Sequence, residues 1–313
     1  MAVPQLLPLI AGFAADAPLI RHRGAALSAG QFLGQVLAVA EALPPAPYLV
    51  NLCEERANFL VAWCAAVVRG QTNLLPASRA PQVIADAQAS HRDNHIVDDE
   101  VVQRVLARRP AAAGAAALPQ VPADHIVQIA FTSGSTGTPT AHAKRWGSLH
   151  FNTRFNAERI RECLEHAAAP TVIATVPPQH MYGTETSVLL PLLAGMGVHG
   201  ARPLFPQDVA VALAEVPEPR VLVTTPVHLR TLLASMQVFP NVAVVVSATA
   251  PMDAALALSV RAGLRAPLLE MFGSTETCVI ATRLTAHESG WRLYPRRHRD
   301  SGRGSHLGQR AVV

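Results

Sequence analysis

Between residues 131 and 139 the chain reads Phe131-Thr132-Ser133-Gly134-Ser135-Thr136-Gly137-Thr138-Pro139. This loop follows an apolar run at 125–130, which predicts a buried strand. Glycine allows positive φ, and successive backbone N–H groups in a tight turn form a concave nest for anions. A hydroxyl- and glycine-rich loop after a strand is typical of a polyphosphate site, and a plain surface loop or linker is the alternative. The loop is not a Walker A motif, because no Gly-Lys-Ser/Thr follows it.

Residues 132–139 resemble the phosphate loop of the adenylate-forming superfamily, which includes acyl-CoA and aryl-CoA synthetases. Two further segments carry the same resemblance. The first, Glu270-Met271-Phe272-Gly273-Ser274-Thr275-Glu276, is similar to the family's aromatic-Gly-x-Thr-Glu motif. The second, Pro177-Pro178-Gln179-His180-Met181-Tyr182-Gly183, is similar to the segment that forms its acyl-binding wall. Their order and spacing fit, so the resemblance extends from about residue 20 to about residue 285.

The composition indicates a globular chain. Of its 313 residues, 50% are hydrophobic and 15% are charged, which is enough to bury a sizeable core. No apolar run approaches the roughly 20 residues that cross a bilayer, and the N-terminus lacks the basic region and cleavage site of a signal peptide. We therefore expect a cytoplasmic protein without a membrane partner. The four cysteines are widely spaced without a metal-binding pattern, and we expect reduced thiols.

The net charge of +4 is concentrated at the C-terminal end. Residues 291–313 hold six arginines and one aspartate, so they carry +5 and the rest of the chain carries −1. The body therefore lacks the basic pattern of a nucleic-acid-binding protein, and we expect no nucleic-acid partner. Nucleic-acid binding through the arginine-rich end is the alternative.

Short β-branched runs alternate with helical patterns along the chain. This alternation predicts an α/β fold of mostly parallel sheets with helices on both faces. We predict an N-terminal α/β subdomain at 1–106, a linker at 107–123, a nucleotide- and acyl-binding α/β subdomain at 124–290, and a basic, disordered tail at 291–313. By resemblance, this is the large N-terminal part of an adenylate-forming enzyme, without the small C-terminal lid domain.

Four candidate loops each follow the end of a predicted strand. They are residues 132–139, 177–183, 247–251 and 272–276. Because ligands bind open α/β sheets along the carboxyl ends of the strands, these loops are predicted to face one cleft. The loop at 247–251 lacks the glycines usual in the family, so it is either a turn along the nucleotide or a plain strand–helix turn.

The resemblance implies that a carboxylate and ATP react to give an acyl- or aryl-adenylate and pyrophosphate. The residues that would wrap the phosphates are Thr132, Ser133, Gly134, Ser135, Thr136 and Gly137. Phe272 stands where the family usually has Tyr and keeps an aromatic face for adenine, and Gly273 follows it in the nucleotide site. ATP and Mg²⁺ are the implied cofactors.

Three residues are implied to be catalytic. Glu276 resembles the carboxylate that holds Mg²⁺ in the family, and Thr275 resembles the residue that contacts the α-phosphate. His180 is expected beside the substrate carboxylate or its adenylate, where it can donate a hydrogen bond to developing negative charge. The alternatives are a solvated loop acid for Glu276 and a structural histidine for His180.

Residues 139–149 and 180–190 resemble a narrower branch, the synthetases of aryl-polyene and xanthomonadin-type pigment pathways. The resemblance implies an aromatic or unsaturated carboxylic acid as substrate, and CoA or an acyl carrier protein as thiol acceptor. Thr140 stands where the broad family has lysine. Lys144, the only lysine in the chain, either supplies that charge or is a solvated helix residue.

The resemblance ends near residue 290. The family's Thr-Gly-Asp segment and its lid lysine have no counterpart here, and the last residues are rich in Arg, Gly and Ser, as a truncated or frameshifted gene would give. Lid closure normally excludes water from such sites. We therefore expect a chain that binds ATP and Mg²⁺ weakly and adenylates poorly. The alternative is a non-catalytic ATP-binding remnant or scaffold.

Overall fold

A computed structural model describes residues 5–108, 117–132, 140–165 and 168–295. The strands are β1 (Leu6–Pro8), β2 (Pro18–His22), β3 (Ala25–Ser28), β4 (Tyr48–Asn51), β5 (Thr72–Leu75), β6 (Asn94–Val97), β7 (Gln120–Pro122), β8 (Ile126–Thr132), β9 (Thr140–Arg145), β10 (Thr171–Ala174), β11 (Gly197–His199), β12 (Arg220–Thr224), β13 (Val244–Ser247), β14 (Leu268–Ser274), β15 (Cys278–Leu284) and β16 (Arg292–Leu293).

The helices are α1 (Ala29–Ala42), α2 (Arg56–Val68), α3 (Pro81–Ser90), α4 (Asp99–Arg108), α5 (Trp146–Arg161), α6 (Met181–Thr184), α7 (Leu190–Leu193), α8 (Pro206–Ala214), α9 (Pro226–Ala234) and α10 (Ala254–Leu264). A π-helix, Glu185–Leu189, joins α6 to α7. Among the described residues, none of the helices combines the length and apolarity that a membrane span needs.

The predicted phosphate loop lies outside the described residues at positions 133–139, and only its first residue, Thr132, is described.

The strands form two large sheets and a short antiparallel pair, β1 with β7. The five-stranded sheet has the order β6-β4-β5-β8-β9, in which only β9 is antiparallel to its neighbour. The nine-stranded sheet has the order β16-β15-β14-β13-β12-β10-β11-β2-β3. It is parallel from β14 to β2 and antiparallel at both ends. The predicted α/β class with mostly parallel sheets is confirmed.

The central strands are buried on both faces. Val221 and Val223 of β12 pack into one core with α1, α2 and α5, whereas Leu222 between them packs with α8, α9 and α10. Successive residues of a strand point to opposite faces, so helices cover both sides of this sheet. Parallel strands covered in this way need continuous apolar runs, which explains the β-branched segments of the sequence.

Helix α2 packs against both sheets, and every residue from Phe59 to Val67 is buried. Trp63 Nε1 donates to Gln128 Oε1 on β8 at 3.1 Å. At the start of the helix, Arg56 Nη2 donates to two carbonyl oxygens at the end of β10, at 2.8 and 2.9 Å. A helix that is apolar on all sides is stable only where other elements cover it, and here both sheets do so.

Strand pairing runs across the predicted linker at 107–123. Strand β8 follows this segment but pairs with β5, and β2 precedes it but pairs with β11. Residues 107 and 108 end α4, and residues 120–122 pair with β1 as β7. The subdomain boundary stays a prediction, but it does not coincide with the division between the sheets. Local composition could not show this, because a strand's partner depends on distant residues.

The first residues of the predicted tail pack against the body. Arg292 and Leu293 form β16 beside β15, and Tyr294 OH donates to Asn156 Oδ1 at 2.9 Å. The Tyr294 ring also packs with Phe155, with ring centroids 5.3 Å apart. Residues 291–295 therefore pack with the folded body, because Tyr294 anchors them before five of the six arginines that suggested a tail. The rest of the predicted tail, 296–313, lies outside the described residues.

Candidate functional site

The residues predicted to form the site lie at the edges of the two sheets. Thr132 ends β8, and His180 immediately precedes α6. Phe272 and Gly273 lie on β14, and Thr275 and Glu276 lie in the turn between β14 and β15. The other predicted phosphate-binding residues, Ser133–Gly137, lie outside the described residues.

Thr132 and Glu276 meet through His142. Oγ1 of Thr132 lies 3.1 Å from Nε2 of His142, and the same nitrogen lies 3.3 Å from Oε1 of Glu276. His142 is on β9, the antiparallel partner of β8. The contact therefore joins the five-stranded sheet to the β14–β15 hairpin of the nine-stranded sheet. Two residues predicted from separate motifs share one neighbour.

Lys144 contacts the same hairpin. It lies two residues after His142 on β9, so the two side chains share one face of the strand. Its Nζ donates to the backbone oxygen of Glu276 at 2.8 Å, and the residue is only 7% exposed. The alternative that Lys144 is a solvated helix residue is wrong. Pairing with β8 makes residues 140–145 a strand, and the helix begins only at Trp146.

The β14–β15 turn is closed by hydrogen bonds between Ser274 and Thr277. Ser274 N donates to Thr277 Oγ1 at 3.1 Å, and Thr277 N donates to Ser274 Oγ at 3.3 Å. Gly273 is required here, because a Cβ at this position would lie 2.1 Å from the carbonyl oxygen of Cys278. The sequence predicted that the strand ends at Met271, but antiparallel pairing with β15 extends it to Ser274.

The hairpin presents a carboxylate and an aromatic ring to solvent. The Glu276 side chain is 54% exposed, and Phe272 is 55% exposed. Hydrogen bonding from Ser274 lowers the pKa of Glu276, and the charges of His142 and Lys144 lower it further. Glu276 is therefore ionised at neutral pH, so the hairpin can bind a cation and stack on a planar ring.

A buried carboxylate contacts the next strand of this hairpin. Glu185 opens the π-helix, is 2% exposed, and accepts hydrogen bonds from Val279 N at 3.0 Å and Asn156 Nδ2 at 3.4 Å. Burial raises the pKa of Glu185 to about 7, although these hydrogen bonds and the Lys144 charge oppose the shift. π-Helical turns occur frequently at functional sites. Glu185 links the predicted acyl-wall segment to β15.

The predicted acyl-wall segment lies along the carboxyl edge of the nine-stranded sheet. The Tyr182 hydroxyl lies 3.1 Å from Thr224 O and 3.0 Å from Val246 O, at the ends of β12 and β13, and it can donate to either. Gly183 is required, because a Cβ there would lie 2.0 Å from Pro177 O. These contacts hold the segment against the ends of two parallel strands.

Burial and one positive charge act on His180. Desolvation, and then the charge of Arg202, lower the pKa of His180, and the same two causes lower the pKa of His228. His180 is therefore neutral at pH 7 and can donate a hydrogen bond to an anion. In the described part of the chain, no hydrogen bond or ion pair joins His180 to Glu276. His180 follows β10 and Glu276 follows β14, and β12 and β13 lie between these two strands in the sheet.

The turn at 247–251 keeps a backbone conformation that favours glycine although it contains none. Thr249 has a φ of +79°, which is strained for a β-branched residue. The Ser247 hydroxyl is buried without a hydrogen-bond partner among the described residues. Strain and an unsatisfied polar atom are more common at binding sites than in plain connections, so they favour a turn that lies along a ligand.

Reasoning from the sequence did not identify His142 or Glu185 as site residues. His142 and Lys144 alternate with alanines at 141 and 143, which is the period-two pattern of a strand, but this signal is short. Glu185 is an acid at the start of an apolar helical segment, and that was the only local signal for its burial. The contacts with the hairpin come from residues far away in the chain.

Comparison with known proteins gives relatives of one kind. The chain is 36% identical over 172 residues to a 4-coumarate–CoA ligase of Halorhodospira halophila, which covers 54% of this chain and 40% of that protein. A second 4-coumarate–CoA ligase, from Rhodobacter capsulatus, is 36% identical over 153 residues, or 49% of this chain and 38% of that one. The matches span less than half the length of these curated relatives.

Solved structures show the same fold. The apo form of MatB from Rhodopseudomonas palustris gives a TM-score of 0.72 at 18% identity, over 86% of this chain and 59% of that chain. A benzoate CoA ligase from Burkholderia xenovorans gives 0.69 at 16% identity, over 88% and 62%. A family model described as AMP-binding enzyme matches residues 27–302. Since this match takes in most of the sequence, including all three motifs, the chain belongs to the AMP-binding enzyme family.

Proposed function

We propose that this chain uses ATP to convert a small carboxylic acid into its acyl- or aryl-adenylate, as the first half of thioester formation with CoA or a carrier protein. The contact of Thr132 and Glu276 through His142 carries the proposal. It brings the end of the phosphate-loop strand to the carboxylate of the second nucleotide motif. Membership of the AMP-binding enzyme family supports ATP as the nucleotide.

Glu276 is the proposed ligand for Mg²⁺. This ion keeps several waters and is commonly held by one or two carboxylates together with substrate phosphates, so one accessible, ionised carboxylate fits it. When bound, the ion neutralises phosphate charge. Thr275 in the same turn is proposed to contact the α-phosphate, and the loop residues 133–137 are proposed to hold the β- and γ-phosphates.

Phe272 is proposed to face the adenine base. Its ring is more than half exposed, and it packs with Trp291 at a centroid distance of 5.4 Å. Trp291 in turn lies under the guanidinium of Arg283, 4.5 Å from its ring centroid. These contacts orient the Phe272 ring and leave accessible surface for stacking. Gly273, which follows, adds no side chain between the strand and a nucleotide.

His180 is proposed to hold the carboxylate of the acid. Both substrates are anions, so the charge of Arg202 near His180 favours their approach. A neutral His180 can donate to the charge that develops on the carboxyl group. The curated relatives are named 4-coumarate–CoA ligases, and one neighbour in fold is a benzoate CoA ligase. We therefore propose an aromatic or unsaturated acid.

The 313-residue chain by itself is proposed to turn over slowly. Glu276 and Phe272 are both more than half exposed, so water reaches the proposed nucleotide site. Exclusion of water strengthens the electrostatic interactions on which adenylation depends, and closure normally supplies it.

Acid-dependent exchange between pyrophosphate and ATP tests the proposal. With a panel of aryl and unsaturated acids, the wild type should exchange slowly, and Glu276→Ala should abolish exchange and weaken ATP binding. Glu100→Ala is the matched control, since its side chain is 85% exposed on α4, and it should behave as wild type. Exchange that does not depend on added acid, or that persists in Glu276→Ala, would contradict the proposal. ATP binding with no exchange under any acid would support a non-catalytic nucleotide-binding protein.

A further inference from the structure

Three side chains with metal-ligating atoms meet at the other end of the nine-stranded sheet. His22 ends β2, His199 ends the neighbouring strand β11, and Glu215 follows α8. One ligand atom from each side chain lies within 4.8 Å of the other two. The β2–β11 pairing is parallel, with Arg21 opposite His199, so the two histidines come from the same carboxyl edge.

The contacts within this cluster leave one nitrogen without a partner. His199 Nε2 lies 2.9 Å from Glu215 Oε2, an oxygen that also accepts from Arg23 N at 3.1 Å. His22 Nε2 lies 4.0 Å from Glu55 Oε2. His22 Nδ1 is buried and has no hydrogen-bond partner among the described residues. Buried ring nitrogens without partners are uncommon and call for an explanation.

We propose that His22, His199 and Glu215 bind a divalent transition-metal ion of the Zn²⁺ type. Two imidazole nitrogens and one carboxylate oxygen are a common donor set for this ion, and water or the nearby Glu55 can complete a tetrahedral shell. A bound ion gives the two histidines and the acid a shared partner. It would cross-link β2, β11 and the end of α8, a role independent of adenylation.

Two contacts have to change on binding. Ala201 N donates to His199 Nδ1 at 3.3 Å, so the neutral ring carries its proton on Nε2, where it faces Glu215. Coordination through Nε2 displaces this proton to Nδ1, so the ion replaces the hydrogen bond to Glu215 and the bond from Ala201 is lost. The bond from Ala201 is 3.3 Å long and therefore weak, and the Nδ1–H that replaces the acceptor needs a new partner.

Zinc binding by the full chain, without ATP or acid, tests the proposal. After treatment with a chelator, Zn²⁺ is titrated in competition with a chromophoric indicator, and Co²⁺ is added to a second sample for its visible spectrum. We expect about one equivalent of tight Zn²⁺, an intense tetrahedral Co²⁺ spectrum, and a higher midpoint of thermal unfolding with Zn²⁺.

His22→Gln and Glu215→Gln should each weaken binding by more than about 100-fold, because loss of an outer-shell partner typically costs roughly 10- to 100-fold. The matched control is His287→Gln, an exposed histidine that contacts Arg261 and should bind as wild type. Glu276→Ala should also keep the zinc, so the outcome is distinct from that of the adenylation test. Equal zinc affinity in wild type and both folded Gln variants, or no tight equivalent at all, would overturn the proposal.

Discussion

At the scale of single residues, a buried lysine holds the turn that presents Glu276. Lys144 Nζ donates to the Glu276 carbonyl, and its charge also acts on the buried Glu185. Lysine is almost never fully buried unless its charge is paired. Lys144 therefore stabilises the backbone of the turn, and the exposed carboxylate of Glu276 remains available for a ligand.

Lys144→Met should lower the free energy of unfolding by about 2 kcal/mol, because a buried hydrogen bond from a charged donor is lost. It should also weaken ATP binding, since the turn loses its anchor. Urea unfolding and nucleotide titration measure the two effects. Arg145→Met is the control: Arg145 is the exposed neighbour on the opposite face of β9, and loss of its hydrogen bond to Asp124 O at 2.5 Å should cost about 1 kcal/mol or less. Equal stability and equal ATP affinity of the two variants would contradict the role of Lys144 as the anchor of the turn.

Glu185 should make stability depend on pH. Its folded pKa of about 7 lies above the ordinary value of 4.5, so the folded state keeps a proton that the unfolded state releases between these values. The free energy of unfolding should therefore fall as pH rises from about 4.5 to about 7, by up to about 3 kcal/mol.

Glu185→Gln has no proton to release, so it should be stabilised relative to wild type increasingly through this interval. Urea unfolding of both proteins at a series of pH values measures the difference, in which the other titrating groups cancel. A difference that stays constant between pH 5 and pH 7.5 would show that Glu185 is ionised in the folded protein.

At the scale of elements, the site depends on turns that bring backbones close together. Gly183 and Gly273 each occupy a position where a Cβ would overlap a carbonyl oxygen. The turn after β13 differs, because Thr249 adopts positive φ without being glycine. Strain of this kind persists only where the surrounding structure enforces it. Here the turn lies beside the strand end that Tyr182 contacts.

Thr249→Gly should raise the free energy of unfolding by about 1 kcal/mol, because relief of strain exceeds the entropy that glycine adds to the unfolded chain. The urea concentration at the unfolding midpoint should rise, while the dependence of the unfolding free energy on urea concentration should not change. Thr231→Gly is the matched control within α9, where glycine should lower stability by roughly 0.4 kcal/mol. A loss of stability in Thr249→Gly would mean that the threonine side chain makes a necessary contact.

At the scale of the whole molecule, α2 joins the two sheets. Its first residue, Arg56, is fully buried and bonds to Ser187 of the π-helix and to the carbonyls of Ala174 and Val176. Burial lowers the pKa of Arg56 to about 9, and no acidic partner balances it among the described residues. The guanidinium thus satisfies carbonyls at the end of β10, just before the predicted acyl wall.

Arg56→Met should lower the free energy of unfolding by about 3 kcal/mol, because buried carbonyl oxygens lose their donor. Urea unfolding followed by circular dichroism measures this. Arg79→Met, which removes an exposed ion pair with Glu54 at 2.7 Å, is the control and should cost about 1 kcal/mol or less. A stability equal to or above that of wild type would show that the cost of burying the charge exceeds the value of its hydrogen bonds.

Much of the candidate site could be found from local sequence. Gly273, Glu276 and His180 stand in motifs whose residue order is itself the signal, and each motif follows a short apolar strand. His142 and Glu185 could not be found in this way. Their roles depend on contacts with the β14–β15 hairpin: His142 contacts Glu276, 134 positions further along the chain, and Glu185 contacts Val279, 94 positions further along.

The sequence by itself determined the alternation of strands and helices and the positions of the turns, because apolar periodicity and glycine are local properties of the chain. Only the tertiary structure decided which strands pair, such as β8 with β5 across the predicted linker. It also decided that the buried Lys144 donates to the backbone of Glu276. The partner of a strand and the burial of a charge both depend on interactions with residues that are distant in the sequence. No local stretch of sequence contains those residues.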